Sequence, residues 1–260
     1  MNLTDILIIC TTAFLASSLT LFSGFGLGTI LVPVFCFFFP ADLAVSLTAI
    51  VHLLNNIFKL GLLGKNANKE IILKFGIPSV ITAFLGAYLL TKLSVGESLF
   101  HYTIGNRDCF ITPLKLVIAF LMFVFALWDL IPAFNRMEFD KKYIPLGGLL
   151  SGFFGGLSGN QGALRSAFLL RAGLSKEAFI ATGVTIAVIT DLARISLYSQ
   201  IVNTHSSEIS YSHWLFPALS AFAGAFLGNK FLKKISTTTV HLLVAVLLIV
   251  FSMLLGSGVI

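Results

Sequence analysis

The run Ser158-Gly159-Asn160-Gln161-Gly162 interrupts an apolar segment that extends from about Ile144 to Leu170. Gly148, Gly152, Gly155 and Gly156 precede it, and Arg165 follows. No helix runs unbroken through such glycine density, because each interior Gly costs roughly 1 kcal/mol relative to Ala. At membrane depth the freed amides and carbonyls are tolerated only where protein or a water-filled cavity receives them. The segment therefore reads as two helical pieces meeting at a break, the second beginning near Gly162. Its unpaired amides and positive dipole end would face whatever occupies the break, and Arg165 adds a full charge one turn in. An anion suits such a place.

Composition puts this segment in a membrane. The chain is 57% hydrophobic and 11% charged, where a soluble domain carries about 25% charge. An all-α polytopic membrane protein is expected. The formal charge of +6 is small and sits in loops, so it reports topology rather than affinity for nucleic acid. Cys10, Cys36 and Cys109 show no disulfide or metal spacing, and the five histidines show no ligand pattern. No metal or other cofactor is expected. The first residues, Met1-Asn2-Leu3-Thr4-Asp5, lack the basic start of a secretory signal, so the apolar stretch behind them reads as retained.

Further apolar runs occupy roughly 43–63, 71–91, 113–131, 177–201, 211–232 and 239–257, each near the roughly 20 residues that span a bilayer. The stretch 5–39 is longer and is broken by Ser23-Gly24-Phe25-Gly26-Leu27-Gly28. An ungapped shift of 135 lays Ser23-Gly24 on Ser158-Gly159, Asp42 on Glu177, Asn56 on Asp191 and Lys59 on Arg194. Farther on, the shift drifts by a few residues, with Pro78 opposite Pro217 and Gly86 opposite Gly224. The common order points to two related halves, 1–131 and 144–260, joined by a cytoplasmic linker at 132–143. Paired glycine-broken segments at corresponding places are a transporter's sequence pointer to its binding site.

Loop charge sets the expected topology. Lys59-Lys65-Lys69-Lys74, Arg136-Lys141-Lys142, Arg171-Lys176 and Lys230-Lys233-Lys234 are basic, whereas 199–212 has no Lys or Arg. With all four basic regions inside, each glycine-broken segment must return to the side it entered. Each half then holds a broken hairpin plus about three spanning helices, and the halves are inverted. The 93–112 connection would be an outer loop.

Several polar residues lie within the apolar runs. Thr48, His52, Asn55 and Lys59 form one stripe, with Asn56 beside it. The stripe reads either as interhelical hydrogen bonding with Lys59 reaching the inner surface, or as a cavity wall with His52 a proton site. Asp191 and Arg194 can pair at i, i+3 near Tyr198, as a self-neutralised structural pair or as part of a pathway. The expected substrate contacts are Ser23, Gly24, Gly26, Gly28, Ser158, Gly159, Asn160, Gln161, Gly162 and Arg165. His52, Asn55, Asn56, Lys59, Asp191 and Arg194 are the coupling or pathway candidates. Gly148, Gly152, Gly155 and Gly156 read as helix-packing positions. No nucleotide, zinc or nucleophile motif is present.

These residues carry a family resemblance. Ser23-Gly24-Phe25-Gly26-Leu27-Gly28 with Pro33, and Gly152-Phe153-Phe154-Gly155-Gly156 through Gly162, resemble the TauE/SafE sulfite-exporter family, also called the toluene sulfonate uptake permeases. The likeness covers nearly the whole chain. It implies a membrane transporter, not an enzyme, for sulfite, organosulfonates or related sulfur-containing anions and small organic acids. Family second repeats often read Gly-Xaa-Gly-Gly-Gly at the break, where this chain has Asn160-Gln161-Gly162-Ala163. The expectation is a secondary transporter of a small anion, an exporter with protons as a candidate coupling ion, in a prokaryotic plasma or inner membrane. An anion channel is the nearest alternative, and an intramembrane enzyme or assembly factor is a more distant one.

Overall fold

The computed structural model describes residues 2–23, 26–105, 107–131, 139–231 and 237–260. The helices are α1 (Leu3–Ser23), α2 (Leu27–Cys36), α3 (Ala41–Leu63), a three-residue α4 (Lys69–Ile71), α5 (Ile77–Ser94) and α6 (Pro113–Leu130). The chain continues with α7 (Ile144–Ser158), α8 (Gly162–Leu169), α9 (Lys176–Thr204), α10 (Ser212–Phe231) and α11 (Thr237–Gly256). Among the described residues, five helical stretches are long and apolar enough to cross a membrane. The protein is an all-α polytopic membrane fold. Bulky apolar side chains such as Leu85, Phe120 and Val250 lie on the outer faces, as a lipid-facing surface requires.

The stretch between α4 and α5 is wound as a π-helix over Ile72–Gly76. Pro78 follows directly, and its ring would clash with the carbonyl four residues earlier in a regular α-helix. Widening the preceding turn removes that clash. One departure from expectation lies in the connection at 93–112, read from its polarity as a loop. It folds into an antiparallel hairpin, β1 (Phe100–Ile104) with β2 (Arg107–Ile111), in which Tyr102 pairs with Cys109. Its alternation was too short and too mixed to show as strands.

Two close helix pairs frame the interior. α7 packs along α5, and α1 packs along α10. On α7, Gly148, Gly152 and Gly156 recur once per turn. A Cβ on any of them would fall 2.1 to 2.2 Å from the carbonyl oxygens of Phe75, Ser79 and Ala83. Backbones can approach so closely only where side chains are missing. Gly224 of α10 stands in the same relation to the Phe14 carbonyl of α1, at 2.2 Å. Hydroxyls tie the same crossings, Thr82 donating to the Leu149 carbonyl (2.7 Å) and Ser18 to the Gly224 carbonyl (2.9 Å). Gly155 packs elsewhere, since a Cβ there would meet Gln161 Cβ at 2.8 Å. Between the two pairs, α3 packs on α9, while α6 packs on α11.

Candidate functional site

α7 ends where Gly159 turns left-handed (φ 80°), its amide donating to the Gly155 carbonyl at 3.0 Å. Asn160 and Gln161 follow, and α8 starts at Gly162, as the sequence reading expects. The first break lies between α1 and α2, with Gly26 immediately before the first turn of α2. Gly24 lies outside the described residues. The two breaks touch: a Cβ on Gly28 would sit 3.1 Å from the Gly159 carbonyl oxygen.

Beside this contact lies a cavity with about 50 Å³ open to a water-sized sphere, enough for a few waters or one small anion. The last turn of α1 supplies Thr20 to its wall, Gly26 and Leu27 come from the first break and the start of α2, and α3 supplies His52, Asn56 and Lys59. α8 contributes Arg165 and Ser166, and the first third of α9 closes it around Gly183. Lys59 and Arg165 are its charged side chains, and both are cations buried at 5% and 8% exposure. Among the described residues, no Asp or Glu lines it. Arg165 Nη1 is buried and makes no hydrogen bond among the described residues. A Cβ at Gly183 would lie 3.6 Å from Arg165 Nε, so that glycine leaves the guanidinium uncrowded. Lys59 is buried rather than extended to a surface. With the Asn55 amide turned to donate to the Ala221 carbonyl (3.2 Å), the Asn55 oxygen accepts from Lys59 Nζ (3.2 Å).

A second polar cluster closes the interior next to the cavity. Asp191 Oδ2 lies 2.6 Å from His52 Nδ1. Asp191 Oδ1 accepts from Gln161 Nε2 (3.0 Å) and from Arg194 Nε (3.0 Å), with Arg194 Nη2 at 2.8 Å. Arg194 Nη1 donates to the Gly155 carbonyl (2.9 Å), and the Tyr198 hydroxyl donates to the Gly156 carbonyl. Asp191 and Arg194 are fully buried. The carboxylate thus meets the Arg194 cation and two further donors, His52 and Gln161, which is what makes a buried charge tolerable.

The structure brings Gly26, His52, Asn56, Lys59 and Arg165 together around the cavity. Ser158, Gly159, Asn160, Gln161 and Gly162 do not line it; Gln161 spends its side-chain amide on Asp191, and the Ser158 hydroxyl bonds the Phe154 carbonyl. Gly28 holds the contact between the breaks, and Asn55 supports Lys59 from behind. Thr20, Ser166 and Gly183 escaped the sequence reading. Nothing but a small or hydroxylated residue in an apolar run marks them. Thr182, on the same edge of α9, instead accepts from the Asn68 amide (2.9 Å) ahead of α4.

The profile of the TauE/SafE sulfite exporters matches residues 9–255. No curated protein matches the sequence. Members of that family are membrane transporters of sulfur anions such as sulfite, not enzymes, and its match spans both breaks, the cationic cavity and the helices that frame them. The chain belongs to the TauE/SafE sulfite exporter family.

Proposed function

We propose that this protein is a secondary exporter of a small sulfur oxyanion, sulfite or a compact organosulfonate, and that the anion binds in the cavity between Arg165, Lys59 and the first turn of α2. The observation that carries this reading is a cavity lined by two buried cations and, among the described residues, no carboxylate. Two uncompensated charges in such a place are expensive, and an anion with several acceptor oxygens offsets both. At the start of α2 the Thr29 amide donates to the Gly26 carbonyl (3.1 Å), and the amides ahead of it, at Leu27 and Gly28, add partial positive charge. Arg165 offers a planar fork suited to two oxygens at once.

The pairing of helices supports two inverted halves, 1–131 and 144–260, around the joint at 132–143. Under the 135-residue shift, α1 on α10 becomes α7 on α5 and α3 on α9 maps onto itself, while α6 and α11, the last helix of each half, pack on one another. Lys59 lies one turn before the end of α3, on the side of the basic loop with Lys65, Lys69 and Lys74. The cavity therefore belongs to the inner half of the membrane in this reading. The Asp191 cluster and the Gly28–Gly159 contact seal the path to the outside. Alternating access would move that seal from one side of the anion to the other.

Purified protein in liposomes should carry sulfite with saturable, electrically modest flux, and single cysteines at Asn66 and Ser206 should label from opposite faces. Large uncoupled currents would make it an anion channel. Labelling of both cysteines from one face would remove the inverted arrangement.

A further inference from the structure

We propose that His52 is the proton-binding site of the transport cycle, and that its Nε2 takes up a proton as the anion enters the neighbouring cavity. The inference rests on the cavity being the anion site, and it adds the atom and the order of coupling. A carboxylate only accepts, so the 2.6 Å contact with Asp191 Oδ2 places a hydrogen on His52 Nδ1. Nε2 is then the nitrogen that gains or loses a proton. It faces the first break, since a Cβ on Gly26 would lie 3.4 Å from it, and His52 lines the cavity.

In the neutral ring, Nε2 is an acceptor and gives an anion nothing to bind. Asn56 Nδ2 lies 3.2 Å from it and 3.0 Å from Nδ1, and can donate to Nε2 only while that nitrogen is bare. A proton on Nε2 turns it into a donor for the anion. It also releases the Asn56 amide, another wall group of the cavity, to donate to the same anion. One protonation event thereby supplies two donors.

The surrounding charges make the two events mutually dependent. Asp191 and Arg194 face His52 from α9, and Arg165 faces it from α8. Lys59 lies on the same helix and shares the cavity. The last turn of α1 contributes Thr20, and the break behind it Gly26. Asp191 is matched by Arg194, which leaves Arg165 and Lys59 as the net charge beside the ring. An imidazolium would add a third cation to an empty cavity, whereas an anion offsets it. Each ligand therefore favours the other to the same degree, as linkage demands. The proton comes from water in the cavity, forms the Nε2–H bond, and returns to water when the anion leaves.

Calorimetric titration of the purified protein with sulfite, in two buffers of different ionisation heat, reads proton uptake per anion bound. Sulfite itself titrates, so the measured quantity is the difference between wild type and His52→Gln. Wild type should take up about one proton more per anion. Equal uptake in the two proteins overturns the proposal while leaving the anion site intact. Failure of wild type to bind sulfite removes the anion site and this inference with it. Should His52→Gln not fold, nitrogen-15 spectra of the wild-type histidines decide. Sulfite should convert the His52 Nε2 from a bare to a protonated nitrogen, and an unchanged imidazole overturns the proposal.

Discussion

The two glycine breaks meet at the centre of the protein, yet the polar residues on the helices behind them are deployed in opposite ways. Behind the first break, α3 carries Asn56 and Lys59 into the wall of a cavity that holds no carboxylate among the described residues. Behind the second, α9 carries Asp191 and Arg194 at the positions matched by the 135-residue shift, and there the cation is bound by its own neighbour at 2.8 Å. Asn in one half and Asp in the other thus separates a cation that needs a guest from one that does not. The first arrangement suits binding. The second suits a seal, because a charge already satisfied by protein has little to gain from an anion. In the proposed two-halves reading, a single carboxylate gives the halves different tasks.

Removing that carboxylate should have the largest effect. Asp191→Asn leaves Arg194 buried without its counterion, a change worth about 3–5 kcal/mol in comparable buried pairs. The yield of folded, inserted protein should fall sharply, and Asp191→Asn combined with Arg194→Gln should recover part of it. A double variant no better than the single one, scored by monodisperse yield, would break the account of the second cluster as a matched pair.

The reciprocal change sharpens the comparison. Asn56→Asp gives Lys59 the same kind of partner that Arg194 has, and puts a negative charge in the cavity wall. Juxtaposing like charges costs several kcal/mol, so sulfite affinity should drop more than about 100-fold in a protein that still folds. Unchanged affinity would show that the anion sits elsewhere.

A smaller loss is expected at Arg165. Arg165→Ala should weaken sulfite binding roughly 10- to 100-fold, the range for hydrogen bonds to a charged group. Arg165→Lys keeps the charge but not the fork, and should fall between the alanine variant and wild type. Equal affinity of the lysine variant and wild type would make the contribution of Arg165 one of charge alone.

Much of this was legible in the sequence for local reasons. Glycine density in apolar segments marked both breaks, and α8 does start at Gly162. The once-per-turn glycines of α7 announced a close helix contact. The Thr48–His52–Asn55–Lys59 stripe is a matter of helical period, and all four residues are buried. The contribution of the break residues was harder to see. Asn160 and Gln161 look like anion donors in one dimension, but Gln161 turns its amide onto Asp191, 30 residues away. The contact of His52 with Asp191 crosses 139 residues, and no periodicity within either helix carries that information.

The sequence by itself therefore determined the membrane class, the family, the two breaks and the i, i+3 pairing of Asp191 with Arg194, because hydropathy, backbone propensity and helical spacing act over short range. Only the tertiary structure decided which cations share a cavity and which is neutralised. It also decided that the first break, not the second, forms part of the cavity wall. Those outcomes depend on where α3, α8 and α9 come together, and a buried charge takes its meaning from the groups that packing places within a few ångströms of it.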